Sequence, residues 1–317
     1  MDSNYRVLDG GLAYLLAERG FKIDGDPLWS ARVLVENPEA VKQVHKSFLT
    51  HGSDIITTAT YQASISGFCK HLGVTADEAR KLIQRGVHIA RESVDEFWDK
   101  HSNSVCSNDR IKPQVAGSVC PYGACQSDGS EYHGNYVDTM TIKNLMDWHR
   151  PQIQALVETG LDLLAFETIP AQKEGEALVQ LLKEFPGTKA WLSYSCKDGS
   201  HTSHNEDFVS AIMAAVADSE QIIAVGNNCC SPVYVTSLIR RLKPKTTLPI
   251  VIYPNKGEEW IDRRWQDTGN VPPVVSYLDE WIDSGAQWIG GCCRTSLTDI
   301  SETRAAIARR TSKPGIG

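Results

Sequence analysis

The run Ile222-Ile223-Ala224-Val225 is a continuous apolar segment, followed by Gly226-Asn227-Asn228 and the cysteine pair Cys229-Cys230. A strand that is apolar at every position has both faces covered, as parallel strands beneath helices do. The pattern recurs at Trp288-Ile289-Gly290-Gly291-Cys292-Cys293-Arg294. Outward from these two segments, short β-branched runs alternate with longer helical periods along the whole chain. Strands are read near Arg6–Asp9, Ile55–Tyr61, Gln114–Ser118, Leu163–Glu167, Ala190–Ser195, Ile222–Asn227, Pro249–Tyr253 and Gln287–Gly290. Helices are read at Pro38–Gly52, Ala76–Phe97, Thr141–Thr159, Ala171–Phe185, Glu206–Ala217, Pro232–Leu242, Val271–Ser284 and Ser296–Arg309. Eight such alternations predict an α/β fold of the (β/α)8 TIM-barrel type, with residues 1–317 as a single domain. An open doubly wound sheet has the same alternation. The count of eight, and the chemically loaded residues at strand C-termini, favour the barrel.

Composition narrows the function. The 317 residues are 41% hydrophobic and 22% charged, with a net charge of −7, which is ordinary for a globular protein. Lys and Arg form no stripe or run, so nucleic acid is not an expected partner. No apolar segment approaches the ~20 residues of a membrane span, no leader or lipidation signal is read at either end, and a cytoplasmic monomer is expected. Nine cysteines cannot all pair, and in a reducing compartment they serve metals, catalysis or packing.

The two cysteine pairs lie 63 positions apart (229 to 292), so only tertiary structure can unite them. If they converge, three thiolates with an open fourth position describe a catalytic zinc site, whereas a structural one is closed by four protein ligands. Chemistry alone leaves open which of Cys229 and Cys230 would ligate, and buried cysteine as a small hydrophobe is the competing reading. Asp9-Gly10-Gly11 ends the first strand; it makes a turn or offers a carboxylate and backbone groups to an ammonium. Glu167 ends the apolar run Leu163-Leu164-Ala165-Phe166, where a carboxylate must be paired or functional. Trp29 and Tyr61 could hold a cation at the barrel rim, although aromatic residues more often serve the core. His201 and His204 occupy a loop poorly suited to ligation, Lys256 reads as a solvated loop lysine, and Cys69, Cys106, Cys120, Cys125 and Cys196 read as core or loop residues. The irregular stretch from Val119 to about Met140 is long enough to be a lid or a pocket wall.

Together these segments resemble the zinc-dependent homocysteine S-methyltransferase family. The resemblance is carried by Asp9-Gly10-Gly11, Leu28-Trp29-Ser30-Ala31 through Glu36-Asn37-Pro38-Glu39, Thr58-Ala59-Thr60-Tyr61-Gln62-Ala63-Ser64 and Ala116-Gly117-Ser118-Val119. Tyr132, Glu167-Thr168, Val225-Gly226-Asn227-Asn228-Cys229, Tyr253-Pro254-Asn255 and Gly290-Gly291-Cys292-Cys293-Arg294-Thr295 complete it. It implies a barrel with Zn2+ held by Cys229, Cys292 and Cys293, which are then the catalytic centre. Asp9, Gly10, Gly11 and Glu167 are then expected at the amino-acid end of homocysteine, with Trp29 and Tyr61 among the substrate-binding residues.

The resemblance also bears on the methyl donor. Betaine-using relatives carry a C-terminal extension and an aromatic residue after the glutamate; this chain has Thr168 there and stops soon after its eighth helix. S-methylmethionine is therefore the expected donor, S-adenosylmethionine a poorer one, and betaine or a selenocysteine acceptor the alternatives within the family. A zinc-bound thiol is deprotonated at neutral pH, and its transfer partner is expected to be a methyl-sulfonium compound. Two readings lie outside this class. A non-catalytic zinc protein would have no use for Asp9 or Glu167, and a phosphate-binding barrel using Gly290-Gly291 would gain nothing from the adjacent thiols.

Overall fold

Eight strands pair in parallel and in chain order in the computed structural model: β1 (Arg6–Val7), β2 (Ile55–Thr57), β3 (Gln114–Val119), β4 (Leu163–Ile169), β5 (Ala190–Tyr194), β6 (Ile222–Asn228), β7 (Ile250–Tyr253) and β8 (Ala286–Ile289). The structure describes residues 4–102, 110–257, 259–261, 264–266 and 271–311. Cys106, the first three residues and the tail from Ser312 lie outside the described residues. β8 returns to β1, with Arg6 opposite Trp288 and Val7 opposite Ile289. The seam between β1 and β2 is held by Asp54, whose N–H donates to Val7 O at 2.7 Å and whose carboxylate accepts from Val7 N at 2.9 Å. The sheet is therefore a (β/α)8 barrel and not an open sheet.

The connecting helices are α1 (Leu12–Glu18), α2 (Ser30–Glu36), α3 (Pro38–His51), α4 (Ile65–Leu72), α5 (Ala76–Ser102), α6 (Ile142–Val157), α7 (Gln172–Leu182), α8 (Phe208–Val216), α9 (Pro232–Leu242), α10 (Leu278–Ser284) and α11 (Leu297–Thr311). α3 shows how the sequence specifies them. Asn37 caps it by accepting from Ala40 N at 3.1 Å, and Pro38 supplies a first residue that needs no N–H donor. Val41, Val44, Phe48 and Leu49 form the buried stripe, and Gly52 ends the helix at φ 119°.

Three short helices, α1, α2 and α4, were absent from the sequence reading, as was a small antiparallel hairpin of Glu259–Ile261 with Arg264–Gln266. The second strand stops at Thr57, so Tyr61 lies in the turn beyond it. The helix expected over Val271–Ser284 begins only at Leu278, after a 3-10 turn at Val274–Tyr277. Pro272 and Pro273 account for the delay, because proline removes a donor and clashes with the preceding helical turn.

Two apolar layers sit on either side of the strands. The outer one packs strands against helices, with Phe48, Phe68, Phe166 and Phe208 wholly buried. The inner one fills the barrel around Trp191, whose ring meets Trp288 and Tyr253 edge-on at 6.0 and 6.2 Å. Each such aromatic pair adds roughly 0.5–1.5 kcal/mol beyond area burial. The Trp191 indole donates to Tyr253 Oη at 2.9 Å, which satisfies the polar atom of the central ring. The barrel is thereby stoppered directly beneath the C-terminal ends of its strands.

Candidate functional site

Backbone bonds between neighbouring strand ends bring the cysteine segments together. Cys229 N donates to Tyr253 O at 3.1 Å, Asn255 N to Cys230 O at 3.1 Å, and Cys292 N to Pro254 O at 2.8 Å. Gly291 N reaches Asp9 O at 3.0 Å, so the ends of β6, β7, β8 and β1 form one continuous rim. Gly291 must be glycine, because a Cβ there would lie 2.2 Å from Thr295 Oγ1. Thr295 in turn donates to Cys292 O at 2.7 Å, which fixes the turn that carries both C-terminal cysteines.

The sulfurs of Cys229, Cys292 and Cys293 all lie within 4.8 Å of one another. Cys229 and Cys293 are separated by 3.6 Å, and Cys292 and Cys293 by 3.9 Å. Thiolates on a tetrahedral zinc with Zn–S of about 2.3 Å would be about 3.8 Å apart. The donor set fits such an ion in both spacing and chemistry. Cys230 points elsewhere: its thiol donates to Asn227 Oδ1 at 3.3 Å and packs in the outer core. Without a cation, hydrogen bonds from Cys292 and Cys293 hold the Cys229 thiol well below its usual range, while the same contacts push Cys292 and Cys293 up. Three thiolates this close repel one another, and a bound cation would relieve that repulsion.

The cluster opens into a cavity of about 460 Å³ that Asp9, Gly10, Gly11, Trp29, Tyr61 and Glu167 also line. All the site residues singled out in the sequence therefore meet in one place. Asp9 accepts from Thr57 N at 2.7 Å and from Thr57 Oγ1 at 3.1 Å. Gly11 lets β1 pass close to the cysteines, since a Cβ there would sit 2.7 Å from Cys292 O. Ser118 Oγ donates to Glu167 Oε1. Burial, with the Glu167 charge adding to it, raises the Asp9 carboxyl to about 8; burial likewise raises Glu167 to about 7. Two adjacent buried carboxyls with raised pKa values are poised for a cationic ligand. Trp29 and Tyr61 face each other at 5.8 Å with planes 60° apart.

Other residues of the site were not assigned roles from the sequence. Thr168 has φ 62°, and Asn228 locks it there by accepting from Thr168 N at 2.7 Å and donating to Thr168 Oγ1 at 2.8 Å. Tyr132 lines the cavity beside the cysteines and helps to lower the pKa of the Cys229 thiol. Among the described residues, the non-glycine positions with positive φ are Trp29, Ser127, Thr168, Asn205, Cys229 and Arg294; all but Asn205 line the cavity. Backbone strain of this kind persists where surrounding structure over-determines it, as at binding sites. This signal exists only in the folded chain.

His201 and His204 do not join the cluster. His201 pairs with Asp198 at 3.0 Å, and His204 with Asp138 at 3.1 Å and Glu206 at 2.9 Å. Lys256 is exposed and contributes its backbone N–H to Cys293 O at 3.1 Å. The stretch from Val119 to Met140 folds into three short 3-10 turns, and Ser127, Asp128, Gly129, Glu131 and Tyr132 from it wall the cavity.

Comparison with known proteins agrees with this geometry. Homocysteine S-methyltransferase YbgG of Bacillus subtilis is 43% identical over 302 residues, covering 94% of this chain and 93% of that protein. Betaine-homocysteine S-methyltransferase of Drosophila melanogaster is 38% identical over 316 residues, covering 96% and 95%. The metallated form of the homocysteine methyltransferase MmuM from Escherichia coli superposes with a TM-score of 0.84 at 36% identity, covering 96% of each chain. The sequence profile of the family described as "Homocysteine S-methyltransferase" matches residues 6–307, and the chain belongs to that family.

Proposed function

We propose that this chain is a zinc-dependent homocysteine S-methyltransferase that takes its methyl group from S-methylmethionine. The observation that carries the reading is the opening of three converging thiols and two buried carboxylates into one cavity. Cys229, Cys292 and Cys293 would hold the metal, and zinc bound there would supply a Lewis acid that keeps the substrate thiol deprotonated at neutral pH. Asp9 and Glu167 hold the ammonium of homocysteine, oriented by Thr57 and Ser118. Tyr132 and the aromatic pair Trp29–Tyr61 exclude water and offer π faces to the donor cation. The substrate sulfur forms a bond to the methyl carbon as the methyl–sulfonium bond breaks, and its electron pair stays on the donor sulfur. Opposite charges cancel, no proton moves, and the product at both ends is methionine. Positioning and dryness are the contributions of the protein to this step.

S-methylmethionine is favoured over betaine because Thr168 stands where an aromatic residue would be expected for a betaine user, and because a neutral thioether leaves more readily than an amine. A betaine donor is the second reading, supported by the Trp29–Tyr61 pair and by the name of the Drosophila relative. The protein is proposed to act as a cytoplasmic monomer, with residues 1–317 as one domain; among the described residues no helix is long and apolar enough to cross a membrane. Initial rates with homocysteine and equal concentrations of S-methylmethionine, S-adenosylmethionine and betaine test the reading, alongside the zinc content of the purified protein. The expected order is the order given, with about one zinc per chain. Faster turnover with betaine refutes the donor, and a metal-free active enzyme refutes the zinc.

A further inference from the structure

The cavity is lined by six carboxylates, those of Asp9, Asp24, Asp26, Asp128, Glu131 and Glu167, and among the described residues by one basic side chain, Arg294. Such a lining suits ligands that bring more than one positive charge. Most of these carboxylates already have a task. Asp26 pairs with Arg32 at 2.8 Å, Asp128 accepts from Ser130 N at 2.9 Å, and Asp9 and Glu167 are held by Thr57 and Ser118. Asp24 is exposed. Glu131 differs from all of them: its Oε2 is buried without a hydrogen-bond partner.

The backbone that presents Glu131 is closely held. Gly129 turns the chain at φ 83°, Ser130 Oγ donates to Gly123 O at 3.2 Å, and Gly134 N returns to Ser130 O at 2.8 Å. Glu131 lines the same cavity as Tyr61, Tyr132 and Cys293, and its charge adds to the upward shift of all three. Leaving a carboxylate buried and unpaired is unfavourable, and burial raises this one to about 7. A ligand that carries its own hydrogen-bonding cation would remove that penalty.

We propose that Glu131 is the counter-charge for the α-ammonium of the methyl donor, and so a specificity residue that separates S-methylmethionine from donors lacking an ammonium. This deepens the donor reading above and rests on it. The ammonium is the better partner than the sulfonium on two counts. It has N–H donors for the orphaned oxygen, whereas a sulfonium has none. It also keeps its charge throughout transfer, whereas a carboxylate paired with the sulfonium would stabilise a charge that the transition state loses. The acceptor ammonium already has Asp9 and Glu167, so the cavity would hold two amino-acid heads.

The test compares wild-type holoenzyme with Glu131→Gln and Glu131→Asp. Titration calorimetry of S-methylmethionine and steady-state constants for both substrates are measured, with dimethylsulfoniopropionate as a sulfonium donor that has no ammonium. Loss of one charge-assisted contact predicts a rise of about 10- to 100-fold in the dissociation constant and KM for S-methylmethionine with Glu131→Gln, partly recovered by Glu131→Asp. KM for homocysteine, KM for dimethylsulfoniopropionate and zinc content should all stay within about twofold of wild type. Unchanged S-methylmethionine constants, or a parallel rise for both donors or for homocysteine, would overturn the assignment. Failure of the wild type to use S-methylmethionine overturns the donor reading itself and is seen before any variant is made.

Discussion

The two sides of the cavity are built in different ways. The side proposed for the acceptor consists of strand ends: Asp9 follows β1, Thr57 ends β2, Ser118 lies in β3, Glu167 in β4, and the cysteines follow β6 and β8. Each is fixed by backbone bonds to its neighbouring strand. The side proposed for the donor consists of connections: Trp29 comes from the excursion after β1, Tyr61 from the turn after β2, and Glu131 and Tyr132 from the 3-10 turns after β3. Strand ends are held by the whole barrel and admit little variation, whereas connections can be rebuilt without disturbing the fold.

The sharpest way to break the division is to attack its centre. Cys292→Ala should release the metal and lower turnover by more than about a thousandfold, because losing a ligand exceeds the 10- to 100-fold typical of losing a group that merely supports one. Cys230→Ala should keep both metal and activity and lose only about 1 kcal/mol of stability, from a small vacancy in the outer core. Metal analysis beside initial rates decides the matter. An active Cys292→Ala enzyme, or a Cys230→Ala enzyme without metal, would sink the ligand assignment.

Much of the acceptor side was legible in the chain. Leu163 to Phe166 and Ile222 to Val225 are apolar without interruption because helices cover one face and the barrel interior the other, so a polar or sulfur-bearing residue that ends such a run stands out. The donor side was legible only in part: the sequence marks Trp29 and Tyr61 as candidate cation holders and the stretch from Val119 to Met140 as a lid or pocket wall, but gives Glu131 no role. Glu131 sits among Asp128, Ser130 and His133 in a polar part of that stretch, and only three-dimensional closure buries its oxygen. Asn228 was seen as part of a motif, but its grip on Thr168 depends on a contact sixty positions away. The short helices α1, α2 and α4 carry too few turns for periodicity to declare them.

Glu167→Gln probes the acceptor wall with an intermediate effect. KM for homocysteine should rise by about 10- to 100-fold, equivalent to roughly 1.5–3 kcal/mol for a charge-assisted contact, while zinc is retained. The pH dependence gives a second readout. Both Asp9 and Glu167 have pKa values above the ordinary carboxylate range. They therefore favour the folded state at acid pH, and that contribution fades as pH rises through about 7 to 8. An ammonium ligand has the opposite preference and requires the ionised form. Homocysteine binding near pH 6.5 should accordingly expel a proton from Glu167 that the glutamine variant cannot release. Calorimetry in buffers of different ionisation enthalpy measures this; equal proton release would remove Glu167 from the ammonium site.

The smallest effect should come from the anchor of the donor wall. Glu174 on α7 is wholly buried, and its carboxylate accepts from Tyr122 N at 2.7 Å and from the Tyr136 hydroxyl, while pairing with His149 Nε2 at 2.9 Å. It thus pins both ends of the segment that presents Glu131, without itself lining the cavity. Glu174→Gln keeps the shape but turns an amide N–H2 toward groups that donate, which should lower stability by about 1–3 kcal/mol. The slackened segment should raise KM for the donor a few-fold and leave KM for homocysteine unchanged, because strand ends do not depend on it. Denaturant unfolding together with the two KM values gives the check. A matching rise in both constants would mean that the two walls are mechanically one, and that connections and strand ends do not divide the work.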